Sequence, residues 1–189
     1  IDQKFILAFY EKGLALNRLL KNREAITAFD RAIAVDSSYS PAYFQKGLVL
    51  KNTKRYEEAL AAFSAALTLN PESYEGWFNK SMVLNSLKRF DEAHQALESS
   101  LNLDSTNAEA WLLKGTVLFE MAHISEALEA FEKAIELAPD NNTAWYRKGK
   151  AYIELGKSPE AIACFDHVLS NDQSCAPAWL RKGSTLLSL

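Results

Sequence analysis

Apolar residues in this 189-residue chain fall into stretches of about 14 residues whose spacing is that of an amphipathic helix. Between 108 and 141 the first stretch carries Trp111, Leu112, Gly115, Leu118 and Phe119, and the second carries Leu128, Phe131 and Ile135. A short break at His123-Ile124-Ser125 separates them, and Gly156-Lys157-Ser158-Pro159 does the same further on. Gly156 suits a left-handed residue that ends a helix, and Ser158-Pro159 suits an N-cap followed by proline at the first helical position. Pairs of stretches divide at Asn70-Pro71 and Ala138-Pro139, where proline disfavours helix at the preceding residue. Pro41 and Pro177 fall in a first turn, where a missing N–H is harmless. The pattern predicts an all-α chain of consecutive helix pairs.

The pairs repeat. Lys12-Gly13, Lys46-Gly47, Lys80-Ser81, Lys114-Gly115, Lys148-Gly149 and Lys182-Gly183 recur every 34 residues. A period in this range marks an array in which each unit covers its neighbour's apolar face. With the glycine column set as position 8, repeats span 6–39, 40–73, 74–107, 108–141 and 142–175, and a partial one spans 176–189. Position 4 reads Phe9, Tyr43, Trp77, Trp111, Trp145, Trp179, so all four tryptophans share one column. Position 20 is alanine in every complete repeat (Ala25, Ala59, Ala93, Ala127, Ala161), always after a glutamate. Position 24 reads Phe29, Phe63, Leu97, Phe131, Phe165, and position 27 reads Ala32, Ala66, Ser100, Ala134, Val168. Glycine inside a helix costs roughly 0.5–1 kcal/mol against alanine. Its recurrence predicts a close approach of two backbones, with the alanines as the facing small residues and aromatics filling the wider gaps. The third repeat, with Ser81, Leu97 and Ser100, is expected to keep the fold with looser or shifted packing.

These columns closely resemble the tetratricopeptide repeat. That pattern asks for tryptophan at position 4, leucine at 7, glycine at 8 and tyrosine at 11, then alanine at 20, phenylalanine at 24, alanine at 27 and proline at 32. The match runs over residues 6–189. Position 7 departs, being lysine throughout, and position 11 is usually leucine, with Tyr152 the exception. Position 32 is proline only at Pro71 and Pro139. The resemblance implies a right-handed superhelical solenoid of antiparallel helix pairs, one array over 1–189, with protein binding as its work.

Composition narrows the chemistry. A net charge of -3 with acids and bases interspersed argues against a nucleic-acid surface, and no apolar run approaches the roughly 20 residues that span a bilayer. Cys164 and Cys175 do not look like a disulfide framework, in keeping with a reducing, cytoplasmic setting. The chain begins without methionine and stops inside a repeat, so it reads as a piece of something longer. His94, His123 and His167 lack the i, i+4 spacing of a zinc pair. The glutamate column at position 19 repeats in every complete repeat, which fits charge at a helix start better than a catalytic acid. No phosphate loop, nucleophile elbow or Cys–His pairing appears. The expectation is a non-enzyme with no catalytic residues, no metal and no cofactor.

The resemblance also implies where a ligand sits. In such arrays the first helix of each repeat lines a concave channel through positions 2, 5, 6, 9, 12 and 13. Carried over, the candidate groove is Tyr10, Leu14, Phe44, Leu48, Phe78, Asn79, Met82, Leu112, Phe119, Tyr146, Arg147, Lys150 and Arg181. The packing columns already supply a core, so this extra apolar stripe points to a partner site. Arg147, Lys150 and Arg181 suggest an acidic ligand end near the fifth and sixth repeats, with Glu120 and Glu154 close enough to neutralise them. The family's carboxylate clamp for chaperone tails is not satisfied: the second to fourth repeats offer Phe44 and Leu48, then Asn79, then Glu109 and Leu113. Its asparagine ladder fails too, because position 6 reads Glu11, Gln45, Asn79, Leu113, Arg147, Arg181. Expected partners are a protein or peptide, with neither nucleic acid nor membrane. Two other readings stand beside this: a targeting or regulatory arm of a larger enzyme or sensor, and self-association through the apolar end Leu186-Leu187-Ser188-Leu189.

Overall fold

The computed structural model describes residues 3–188; expectations resting on Ile1, Asp2 and Leu189 lie outside them. The described residues form eleven helices: α1 (Gln3–Arg18), α2 (Asn22–Val35), α3 (Ser40–Asn52), α4 (Tyr56–Leu69), α5 (Tyr74–Ser86), α6 (Phe90–Leu103), α7 (Ala108–Glu120), α8 (Ile124–Leu137), α9 (Asn142–Glu154), α10 (Ser158–Asn171) and α11 (Ala176–Leu186). Two compact units result, one up to Leu103 with α1–α6 and one from Asp104 with α7–α11. Within each, every helix packs against its sequence neighbour, and successive first helices also touch: α1 with α3 and α3 with α5, then α7 with α9. No comparable contact joins α2 to α4, α4 to α6 or α8 to α10 among the described residues. Each unit is therefore a helical-repeat solenoid with its first helices on the inner side of the bend.

One backbone device makes every hairpin. Position 15 is left-handed in all five complete repeats, at Leu20, Lys54, Lys88, Ala122 and Gly156, with φ of 58–68°. The next residue donates its N–H back to position 11, as Lys21 does to Leu16 (2.9 Å) and Lys157 to Tyr152 (2.9 Å), closing the first helix in a Schellman arrangement. The carbonyl of that same residue accepts from position 20, opening the second helix (Lys21 from Ala25, 2.9 Å; Lys157 from Ala161, 3.1 Å). Gly156 thus behaves as its sequence predicts, while four repeats reach the same bend without glycine. Ser158 does not cap α10: the helix begins at Ser158, and Lys157 is the cap with no side-chain bond, because its carbonyl is already the first acceptor. Glu24, Glu58, Glu92 and Glu126 of position 19 pair with the basic residue at position 16, bidentately in Arg55–Glu58 (2.6 and 2.7 Å) and Arg89–Glu92 (2.6 and 2.7 Å).

The core forms where a ring meets a missing methyl group. Phe29, Phe63, Phe131 and Phe165 are fully buried, and each lies against the glycine of its own repeat. A Cβ added at Gly13, Gly47, Gly115 or Gly149 would stand 2.4–2.7 Å from the phenylalanine ring. The expectation of a backbone-to-backbone approach needs correction: what a Cβ would meet first is an aromatic ring, and at Gly115 the Ala127 carbonyl also comes within 3.1 Å. The third repeat is not looser. Ser81, Leu97 and Ser100 are all buried; Leu97 replaces the ring, so a serine fits where glycine was needed. Ser81 Oγ donates to the Phe78 carbonyl (2.6 Å), and Ser100 Oγ donates to that of Tyr74 (2.9 Å).

Cys164 belongs to the same layer, buried beside Gly149, while Cys175 is half-buried, and the two are not joined by a disulfide. Burial pushes the Cys164 thiol up to about 11. A raised thiol pKa means the folded chain holds that proton more firmly, so this group's contribution to stability falls as pH rises through 9 toward 11.

Two outcomes follow from this packing. Gly115→Ser alone should destabilise by about 1–3 kcal/mol through overpacking, and combining it with Phe131→Leu should recover part of that loss, reproducing the Ser81–Leu97 pair; chemical denaturation of the single and double variants measures the coupling. A thiol reagent at pH 8 should label Cys175 quickly and Cys164 only after denaturant is added, read as one fast equivalent followed by a second.

Candidate functional site

Junctions between repeats position the inner face, and two columns build them. The indole N–H of each tryptophan at position 4 reaches six residues back to a position-32 carbonyl: Trp77 to Pro71 (2.8 Å), Trp111 to Ser105 (2.8 Å), Trp145 to Pro139 (2.9 Å) and Trp179 to Gln173 (2.9 Å). A backbone carbonyl is present whatever the residue, so proline is dispensable there. This also explains why Trp77, Trp111 and Trp145 are half-buried and Trp179 is exposed, where the pattern alone points to core. Where proline is missing, Asp36, Asp104 and Asp172 brace the linker by accepting from Ser38, Thr106 and Ser174, and these bonds hold the carboxylates below their usual range.

The lysines of position 7 occupy the place where the pattern wants leucine, and they do a leucine's covering work with a charge attached. Lys80, Lys114, Lys148 and Lys182 lie 5.0–5.6 Å from the centroids of Trp77, Trp111, Trp145 and Trp179. Several also reach an acid at position 25 of the preceding repeat: Lys46 to Asp30 (2.6 Å), Lys148 to Glu132 (3.0 Å) and Lys182 to Asp166 (2.6 Å). In Lys148 and Lys182 one ammonium thus lies near a ring and meets an acid across the junction. In the third repeat the preceding position 25 is Ser64, and burial lowers the Lys80 pKa. The residue types were legible in the sequence; their cross-repeat partners were not.

On the inner face of the first unit, Tyr10, Leu14, Phe44, Leu48, Phe78, Asn79 and Met82 are all half-buried. Position 5 is shared between core and surface. Tyr10 lies tilted against Phe29 (6.0 Å) and edge-on to Tyr39 (5.4 Å), and Phe44 lies edge-on to Phe63 (5.8 Å). Burial raises the phenol pKa of Tyr10, which is hydrogen-bonded to Gln45. The face also holds Lys51, which the sequence reading passed over. Its Nζ donates to Asn79 Oδ1 (2.7 Å) and stands 3.7 Å from Met82 Sδ. In the second unit, Leu112, Phe119, Tyr146, Arg147 and Lys150 are half-buried and Arg181 is exposed. Tyr146 packs on Phe165 (5.8 Å), and Lys150 Nζ lies 5.0 Å from the Phe119 ring centroid. Residue 12 of one repeat therefore meets residue 9 of the next in both units, through Lys51 and Met82 in one and Phe119 and Lys150 in the other.

Elsewhere, His167 stacks on Trp145 (4.1 Å) and His123 faces Glu126 (3.3 Å). No group of three or more His, Cys, Asp or Glu side chains gathers among the described residues in a way that could hold a metal ion. No described helix is long and apolar enough to cross a membrane.

Comparisons with known proteins agree with this architecture. Tetratricopeptide repeat models match residues 40–73, 74–107 and 118–182. Among curated proteins no relative matches. Solved structures with the same fold include YrrB, described as a tetratricopeptide repeat protein with an unusual peptide-binding site, at 23% identity and a TM-score of 0.87, covering 96% of this chain and 94% of that one. MamA 41-end from Desulfovibrio magneticus RS-1 superposes at 20% identity and a TM-score of 0.86, covering 90% and 97%. The pilF protein of Pseudomonas aeruginosa does so at 19% and 0.79, covering 98% and 89%. Column by column and match by match, the chain belongs to the tetratricopeptide repeat family.

Proposed function

We propose that the protein is an interaction scaffold whose first-helix face holds a peptide or helix of a partner. The observation that carries this is the partial exposure of Phe44, Leu48, Phe78 and Met82 in the first unit, with Phe44 and Leu48 also packed on the core, where the packing columns of positions 8, 20, 24 and 27 are already buried. Apolar surface left after the core is complete is what a groove-binding segment needs for its anchors. YrrB, which shares the fold, is described as carrying a peptide-binding site. The second unit offers a comparable strip in Leu112, Phe119 and Tyr146, flanked by Arg147 and Lys150. A random peptide library displayed against the purified protein tests this. Selected peptides should lose roughly tenfold or more in affinity for Phe44→Gln, Phe78→Gln or Tyr146→Gln variants that keep their helical circular dichroism; unchanged affinity in all three removes the groove.

A second reading, self-association, has its own observation. On α11, Trp179, Leu180 and Leu186 are exposed, Leu180 at 72%, and a Cβ at Gly183 would meet nothing within 4 Å. Among the described residues no ring fills the notch of that helix. Sedimentation over a concentration series should then show dimer at high concentration, lost in Leu180→Glu; a strict monomer rejects the reading.

A further inference from the structure

Many cations of this array have a carboxylate or an aromatic face. Lys46, Lys148 and Lys182 have acids across a junction, Arg55 and Arg89 have glutamates, and Lys150 has the Phe119 ring. Lys51 differs. It is half-buried on the first-helix face, near the end of α3, and among the described residues its ammonium meets a neutral amide oxygen and a thioether, with no ion pair. An ammonium has three N–H donors, and a thioether is a weak acceptor, so its hydrogen-bonding capacity is incompletely used. Burial alone lowers its pKa, with no acid offsetting that shift. The Asn79 amide is fixed in turn, its Nδ2 donating to the Glu75 carbonyl (2.9 Å), which aims Oδ1 at Lys51 and holds the ammonium in place.

This cation closes one end of an apolar strip. Along α3 the residues Phe44, Leu48 and Lys51 share a face at helical spacing, and Phe78 and Met82 run beside them on α5. We infer that Lys51 and Asn79 form a carboxylate-reading subsite: a partner segment lays apolar anchors on Phe44, Leu48 and Met82 and places an acidic side chain or terminal carboxylate on the Lys51 ammonium. A carboxylate accepts from the N–H left over and supplies the opposite charge that the protein itself does not provide at this point. Charge-assisted bonds of this kind are short and directional, so the subsite fixes the register of the bound segment as well as adding affinity. It rests on the groove reading above and specifies what the groove in the first unit selects.

The test uses the peptides selected from the displayed library, each paired with a version in which Asp and Glu are changed to Asn and Gln and the C-terminus is amidated. Wild-type protein should prefer the acidic version by about tenfold, the range of a hydrogen bond to a charged group, and the preference should shrink as salt rises. Lys51→Met should bind both versions alike, at the affinity wild type shows for the neutral one, and Lys51→Arg should restore the preference. Helical circular dichroism and thermal melting confirm that each variant is folded. Equal binding of both versions by wild type, or an acidic preference that persists in Lys51→Met, overturns the subsite. If Phe44→Gln and Phe78→Gln weaken binding in those same cases, the groove survives without it; a library that yields no binder counts against both.

Discussion

A phenylalanine ring seated over a glycine sets the spacing of every helix pair but one. With Cβ positions blocked at 2.4–2.7 Å from the ring, the two helices of a repeat have one way to close. The loss of helix propensity at each glycine, roughly 0.5–1 kcal/mol, is offset by complete burial of a ring, worth several times as much. The third repeat proves the rule by changing both partners at once: leucine replaces the ring, and serine then fits the notch and returns its hydroxyl to the helix backbone. What looks like divergence in single columns is compensation between them.

Between repeats apolar packing continues, as in Ile6, Ala32 and Ala42 or Val168, Leu169 and Ala178, and polar contacts are added to it. Tryptophan N–H groups fasten on backbone carbonyls, and lysine ammonium groups bridge a ring and an acid. Each such pair at a half-exposed site contributes modestly, on the order of 1 kcal/mol or less. Their value lies in orientation. Helical spacing alone puts positions 5, 9 and 12 on one face, and these contacts fix how each first helix is turned about its axis relative to the next within a unit. A partly exposed apolar strip is then left along the first helices of each unit.

The fold was legible because rings and glycines at a fixed period have few structural uses. Helix number, pairing and the core columns could be read directly, and so could the left-handed residue at Gly156. What was not legible depended on distance in sequence. The Ser158 cap failed because one residue ends one helix and begins the next, an economy that no local rule reveals. The place of the position-4 tryptophans at the rim, and the partners of the position-7 lysines, depend on atoms in the preceding repeat. Lys51 escaped notice for the same reason: alone it is a lysine in the last turn of a helix, and only beside Asn79 and Met82 of the next repeat does its charge stand out as uncompensated.

The hairpin bends hold one more consequence. Leu20, Lys54, Lys88 and Ala122 sit in a backbone region that costs a residue with a side chain roughly 1–2 kcal/mol, and their side chains project into solvent. Glycine is free of that penalty, as Gly156 demonstrates. The molecule thus keeps an untapped reserve of firmness, distributed over four corners on the rim and independent of the surface that would meet a partner, so recognition and robustness can evolve here without competing for the same residues.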